Sequence, residues 1–131
     1  TSLTISLLIS PVMALPSYVV SNGSSAVLLP CSPEAGTQFT DAVWDWYSPS
    51  RRNSQRVCVI RANTECDPPH HKGVSVADSN ALQTGNVSLF LTPTLSQAGE
   101  YHCAVYNQQE MVYRSIVHLT VFNGELLHRP D

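Results

Sequence analysis

Residues Gly85–Cys103 read GNVSLFLTPTLSQAGEYHC, and this stretch decides the fold. Val87, Leu89 and Leu91 alternate with Ser88, Phe90 and Thr92, the period-two pattern of a strand with one buried face. Pro93 to Gly99 gathers the chain breakers. Tyr101 and Cys103 then share one face of a second strand, because side chains two apart point the same way. A Tyr two residues before a Cys, just past a corner Gly, predicts a tyrosine corner. In that arrangement the phenol hydroxyl bonds back to the corner backbone while the ring fills the edge of the core. A hairpin of some other all-β protein could also end in Cys. A sandwich built on this corner needs a first Cys, a Trp and about seven to nine short strands from the rest of the chain.

The chain supplies them. Ala26–Ser32, AVLLPCS, is an expected strand with Val27, Leu29 and Cys31 on one face. Asp41–Tyr47, DAVWDWY, places Trp44 and Trp46 on one layer, and either could pack on a disulfide. Further strands are expected at Leu15–Val20, Arg56–Arg61, Gly73–Ala77 and Met111–Phe122, with a polar hairpin tip at Asn107–Glu110. Pro16 would make the first an edge strand. No helix signal and no repeat appears. The order Cys31, Trp, Tyr101, Cys103 is that of an immunoglobulin-like β-sandwich: all-β, two antiparallel sheets with Greek-key connections. A Cys31–Cys103 bond would close a loop of about 73 residues and stabilise by roughly 4 kcal/mol. The space between Trp46 and Gly73 admits extra strands, which indicates the nine-stranded variable type.

Composition agrees with one secreted domain. The chain has 131 residues, 43% of them hydrophobic and only 13% charged, which suits a packed core and argues against disorder. Its net charge of −3 offers no basic footprint for nucleic acid. Four cysteines in a short chain imply a disulfide framework and an oxidising compartment. Leu3–Ile9 is largely apolar, and Val12-Met13-Ala14 resembles a cleavage site. Residues 1–14 are therefore expected to be the remnant of a secretory signal, with an extra N-terminal strand as the alternative. The domain is expected over 15–122, with 123–131 an exit segment toward a stalk or a further domain. A membrane anchor is expected downstream, which puts the domain on the extracellular side of the plasma membrane. Asn22-Gly23-Ser24 and Asn86-Val87-Ser88 are N-glycosylation sequons, flanking strands expected in the other sheet or at its edge.

From Gly23 to Phe122 the chain resembles the variable-type immunoglobulin domains of the butyrophilin and costimulatory-ligand family, which includes myelin oligodendrocyte glycoprotein. Trp46 with Pro49 three residues later matches that family's third strand, and the resemblance selects Trp46 as the core tryptophan. Val57-Cys58-Val59-Ile60-Arg61 is similar to its next strand. Asp78, Leu82 and Gly85-Asn86-Val87-Ser88-Leu89 match its most specific segment, with one extra residue between Asp78 and Leu82. The family usually pairs an Asp and an Arg where this chain has Gln97 and Val74. Losing both partners is tolerable, whereas losing one would strand a buried charge. The resemblance implies a cell-surface immune regulator that binds a protein on an opposing cell or the same cell. A homophilic adhesion module is the alternative.

Cys58 and Cys66 lie outside the common framework. A second disulfide is expected, fixing an exposed edge. With His70 and His71 the same cysteines have the right atoms for zinc, but their spacing and the oxidising compartment disfavour it. No metal or other cofactor is expected. There is no Gly-x-Ser-x-Gly elbow, no His-Glu-x-x-His and no phosphate-binding Gly loop, so no enzyme is expected. Strand parity instead turns Asp45, Tyr47, Ile60, His102, Ala104 and Tyr106 away from the core. Exposed aromatics on a flat sheet suit a protein partner or a second copy of the chain.

Overall fold

The structure, a computed structural model, describes residues 17–62, 65–66 and 73–123. The expected signal remnant, His70, His71 and the exit segment beyond Asn123 fall outside them. Among the described residues nine strands are formed: β1 Ser17–Ser21, β2 Val27–Leu29, β3 Asp41–Tyr47, β4 Ser54–Ile60, β5 Glu65–Cys66, β6 Ser75–Val76, β7 Leu89–Leu91, β8 Gly99–Asn107 and β9 Glu110–Phe122. They make a six-stranded sheet in the order β1-β9-β8-β3-β4-β5 and a three-stranded sheet in the order β2-β7-β6. All pairings are antiparallel except β1 with β9, which is parallel.

Alternation builds the core. Ala42, Trp44 and Trp46 from β3 and Tyr101, Cys103 and Val105 from β8 face Leu29, Leu89 and Leu91 of the smaller sheet. Pro30 has no N–H to give the ladder, and β2 ends just before it. Cys31 follows and bonds to Cys103 on β8, pinning the two sheets together. The indole Nε1–H of Trp44 crosses the layer to donate to the Val87 carbonyl at 2.7 Å. That of Trp46 donates to the Ala98 carbonyl at 3.0 Å. The resemblance selects Trp46 as the core tryptophan, and Trp46 is buried. The register, however, sets Trp44 directly across from Cys103 and Trp46 across from Tyr101.

The corner takes the expected form. Tyr101 O–H donates to the Gln97 carbonyl at 2.6 Å, and burial pushes its hydroxyl far above the ordinary tyrosine range. Gln97 is itself buried. Its side-chain oxygen accepts the Thr94 N–H at 3.2 Å, closing a capping box around a 3-10 turn at Leu95–Gln97. A neutral amide thus does locally what a carboxylate would do, and needs no cation. Val74, where the family has Arg, packs on the core.

Three expectations need correcting. One turn of helix, α1 Ala81–Thr84, stands where no helix is expected. Asp78 organises it by accepting from the Asn80 N–H and the Thr84 hydroxyl, both at 2.8 Å. Gly85 ends it at φ +84°, a left-handed conformation that favours glycine. A single turn is too short to show a helical period.

Ile60, expected outward, is buried at 1% exposure. The pairs Trp44/Cys58 and Asp45/Arg56 leave Val57 as an extra residue on β4, a β-bulge. Val57, Cys58 and Ile60 therefore all face inward, and Val59 turns out. Asn22 does not simply flank the smaller sheet. It lies where the chain leaves β1, at the edge of the six-stranded sheet, and heads for β2.

Candidate functional site

The outer face of the six-stranded sheet is where chemistry-bearing side chains converge. Because Trp44, Trp46, Tyr101 and Cys103 point inward, their neighbours on β3 and β8 must point out. Asp45 is in register with His102, Tyr47 with Glu100, Val43 with Ala104 and Asp41 with Tyr106. On the other flank His102 meets Ile116, Ala104 meets Arg114 and Tyr106 meets Met111. Five of the six residues expected on this face are therefore brought together: Asp45, Tyr47, His102, Ala104 and Tyr106. Ile60 is the exception.

At its centre the rings of Tyr47 and His102 lie 4.5 Å apart, tilted at 51°. Glu100 joins two cationic or hydrogen-bonding groups: Arg51 Nη2 at 2.6 Å and His102 Nε2 at 3.1 Å. An ionised carboxylate only accepts, so His102 Nε2 carries the hydrogen. This hydrogen bond holds the Glu100 carboxyl below its ordinary value of 4.5, partial burial opposes it, and the Arg51 charge adds to it. Arg51 reaches Glu100 from the turn after β3, where it adopts φ +65° and its N–H bonds the Ser48 carbonyl. Beside this group Arg56 Nε contacts Asp45 Oδ1 at 2.5 Å. Asp45, Tyr47, Ser54, Gln55 and Arg56 line a shallow hollow of about 230 Å³. It is smaller than the pockets that usually enclose small ligands.

The upper end of the face is apolar. Met111 and Val112 are exposed beside Tyr106 at the β8–β9 hairpin. Gln108 and Gln109 form the two-residue turn there, both at positive φ, as the twist of a tight hairpin requires. Ile116 could have been found by parity from Val117. Arg56 could have been found the same way, since it shares parity with the outward side expected for Ile60 and lies before the bulge.

The remaining expected sites have clear positions. Cys58 on β4 and Cys66 on β5 are cross-strand partners and form a disulfide. Their sulfurs are bonded to each other, and His70 and His71 lie outside the described residues. Among the described residues no group of three or more His, Cys, Asp or Glu could hold a metal ion. Asn22 is exposed, and Asn86 is half-buried at the start of the approach to β7. Among the described residues no helix is long and apolar enough to cross a membrane.

Residues 15–122 match the family model of the immunoglobulin V-set domain. The chain belongs to the immunoglobulin V-set family. No curated protein matches this V-set domain. Solved structures do match its fold. One is of the extracellular domains of the voltage-gated sodium channel beta4 subunit, described as parallel homodimers that explain that subunit's role in cell-cell adhesion. It is 20% identical with a TM-score of 0.61, over 86% of this chain and 94% of that one. A second comes from work on multimeric cell-adhesive interactions of voltage-gated sodium channel beta subunits. It is 19% identical with a TM-score of 0.62, over 86% of this chain and 95% of that one. At these identities the likeness establishes the shared fold.

Proposed function

We propose that this V-set domain is an extracellular recognition module of a cell-surface immune regulatory protein, a ligand or a receptor, binding a protein partner through the outer face of its six-stranded sheet. The observation that carries the proposal is the composition of that face. Tyr47, Tyr106, Ile116 and Met111 supply apolar area, while Asp45 with Arg56 and Glu100 with Arg51 are already paired within the monomer. Aromatic side chains on a rigid sheet lose little entropy on binding and dominate interface energetics. Pre-paired charges lower the cost of desolvating the face. The immune reading rests on the similarity of Gly85–Leu89 to the butyrophilin and costimulatory-ligand segment.

Homophilic adhesion is the second reading. It is favoured by the adhesive sodium channel beta subunits among the similar folds. Sedimentation of the purified domain at micromolar concentration separates the two. A monomer that stains other cells supports the ligand or receptor reading, and self-association supports adhesion. Y106R should abolish whichever contact is found. Full contact by a folded Y106R domain would refute the choice of face.

A further inference from the structure

We infer that Asn22 and Asn86 both carry N-linked oligosaccharide, and that Asn86 must receive it before the smaller sheet closes over Ser88. The two amides point the same way. Asn22 Oδ1 accepts the Leu95 N–H at 3.2 Å. Asn86 Oδ1 accepts the Ser88 N–H at 3.2 Å and the Ser32 hydroxyl at 3.4 Å. A backbone N–H can only donate, so each of these contacts fixes its amide with oxygen inward. Each Nδ2 is then left without a hydrogen-bond partner among the described residues. A sugar on either nitrogen would break no bond of the fold.

The transfer is balanced without any redox partner. Nδ2 forms a bond to the anomeric carbon of a lipid-pyrophosphate-linked oligosaccharide. The bond from that carbon to the pyrophosphate oxygen breaks, Nδ2 gives up one proton, and the lipid pyrophosphate leaves. The transferase recognises the hydroxyl two residues past the acceptor.

The two sequons differ at that hydroxyl. Ser24 is half-buried, and its side chain has no hydrogen bond among the described residues. Ser88 is 3% exposed, and its Oγ is held at both ends by Cys31, accepting the N–H at 2.9 Å and donating to the carbonyl at 3.4 Å. Cys31 is in turn bonded to Cys103. Once that disulfide and the β2–β7 pairing exist, no enzyme can reach the Ser88 hydroxyl without unfolding the sheet. Glycosylation at Asn86 therefore precedes closure of the core. This order of events is independent of what the V-set domain binds.

The test has two arms. Glycopeptide mass spectrometry of the chain secreted from eukaryotic cells should find oligosaccharide on both asparagines, and a bare Asn22 or Asn86 overturns the assignment. Separately, the full chain is offered to purified oligosaccharyltransferase with lipid-linked oligosaccharide, either reduced and unfolded or oxidised and folded. The reduced chain should be modified at Asn86 and the oxidised chain should lose that modification. Equal modification of the two forms at Asn86 overturns the ordering.

Discussion

Replacing Gly99 with Ala should damage this domain more than any other single methyl group added at a described glycine. Gly99 opens β8 at φ +143°, where a side chain is strained whatever the space. A Cβ there would sit 2.2 Å from the Tyr47 carbonyl oxygen and 2.9 Å from Trp46 Nε1. The first neighbour is backbone of the central strand and cannot rotate away. The strand must move, and with it the hydrogen bond from Trp46 to Ala98. The unfavourable backbone conformation costs about 1–3 kcal/mol. Overpacking adds roughly 1–3 kcal/mol, and a weakened, partly buried hydrogen bond about 1 kcal/mol. A total of about 3–7 kcal/mol would lower Tm by about 10–25 °C in a domain of this size. Gly36→Ala is the control. Gly36 also has positive φ, +90°, but a methyl group added there would meet nothing within 4 Å, so only the conformational cost applies. Urea and thermal unfolding of the disulfide-intact chain, followed by circular dichroism, would measure both. If G99A loses no more stability than G36A, the close approach of β8 to Tyr47 does not hold the sheet.

Tyr101→Phe removes the hydroxyl that donates to the buried Gln97 carbonyl, so urea unfolding should show a loss of about 1–3 kcal/mol. Cys58→Ala with Cys66→Ala opens a loop with a sequence separation of 8. It should cost about 2–3 kcal/mol, less than the roughly 4 kcal/mol for opening the Cys31–Cys103 loop, as thermal unfolding of the two double variants can compare. Glu100 binds its proton more weakly when folded than when unfolded, so its contribution is fully present above the unfolded value near 4.5 and is lost as pH falls through the folded one. The urea midpoint should therefore fall less steeply with acid in E100Q than in the parent, and identical slopes would contradict the His102–Glu100 geometry.

Much of this fold is legible in residue order alone. The period-two alternation of Val87–Leu91 and of DAVWDWY, and the spacing of Tyr101 to Cys103, depend on local geometry that any strand must obey. They are enough to place the core cysteines, the corner and most of one sheet face. The departure at Gln97 and Val74 is also legible, because it is a matter of which charges are absent. What the order of residues cannot carry is anything set by a partner strand. The bulge at Val57 exists only relative to β3, and it alone turns Ile60 inward while Arg56, before it, stays out. The choice between Trp44 and Trp46 as the residue across from Cys103 is a matter of register, which two equally apolar positions of one strand leave open. The Arg51–Glu100–His102 group likewise joins a turn to a strand 49 residues away in sequence. Periodicity is a property of one segment, whereas register, bulges and charge pairing are properties of two, and only tertiary structure brings the two together.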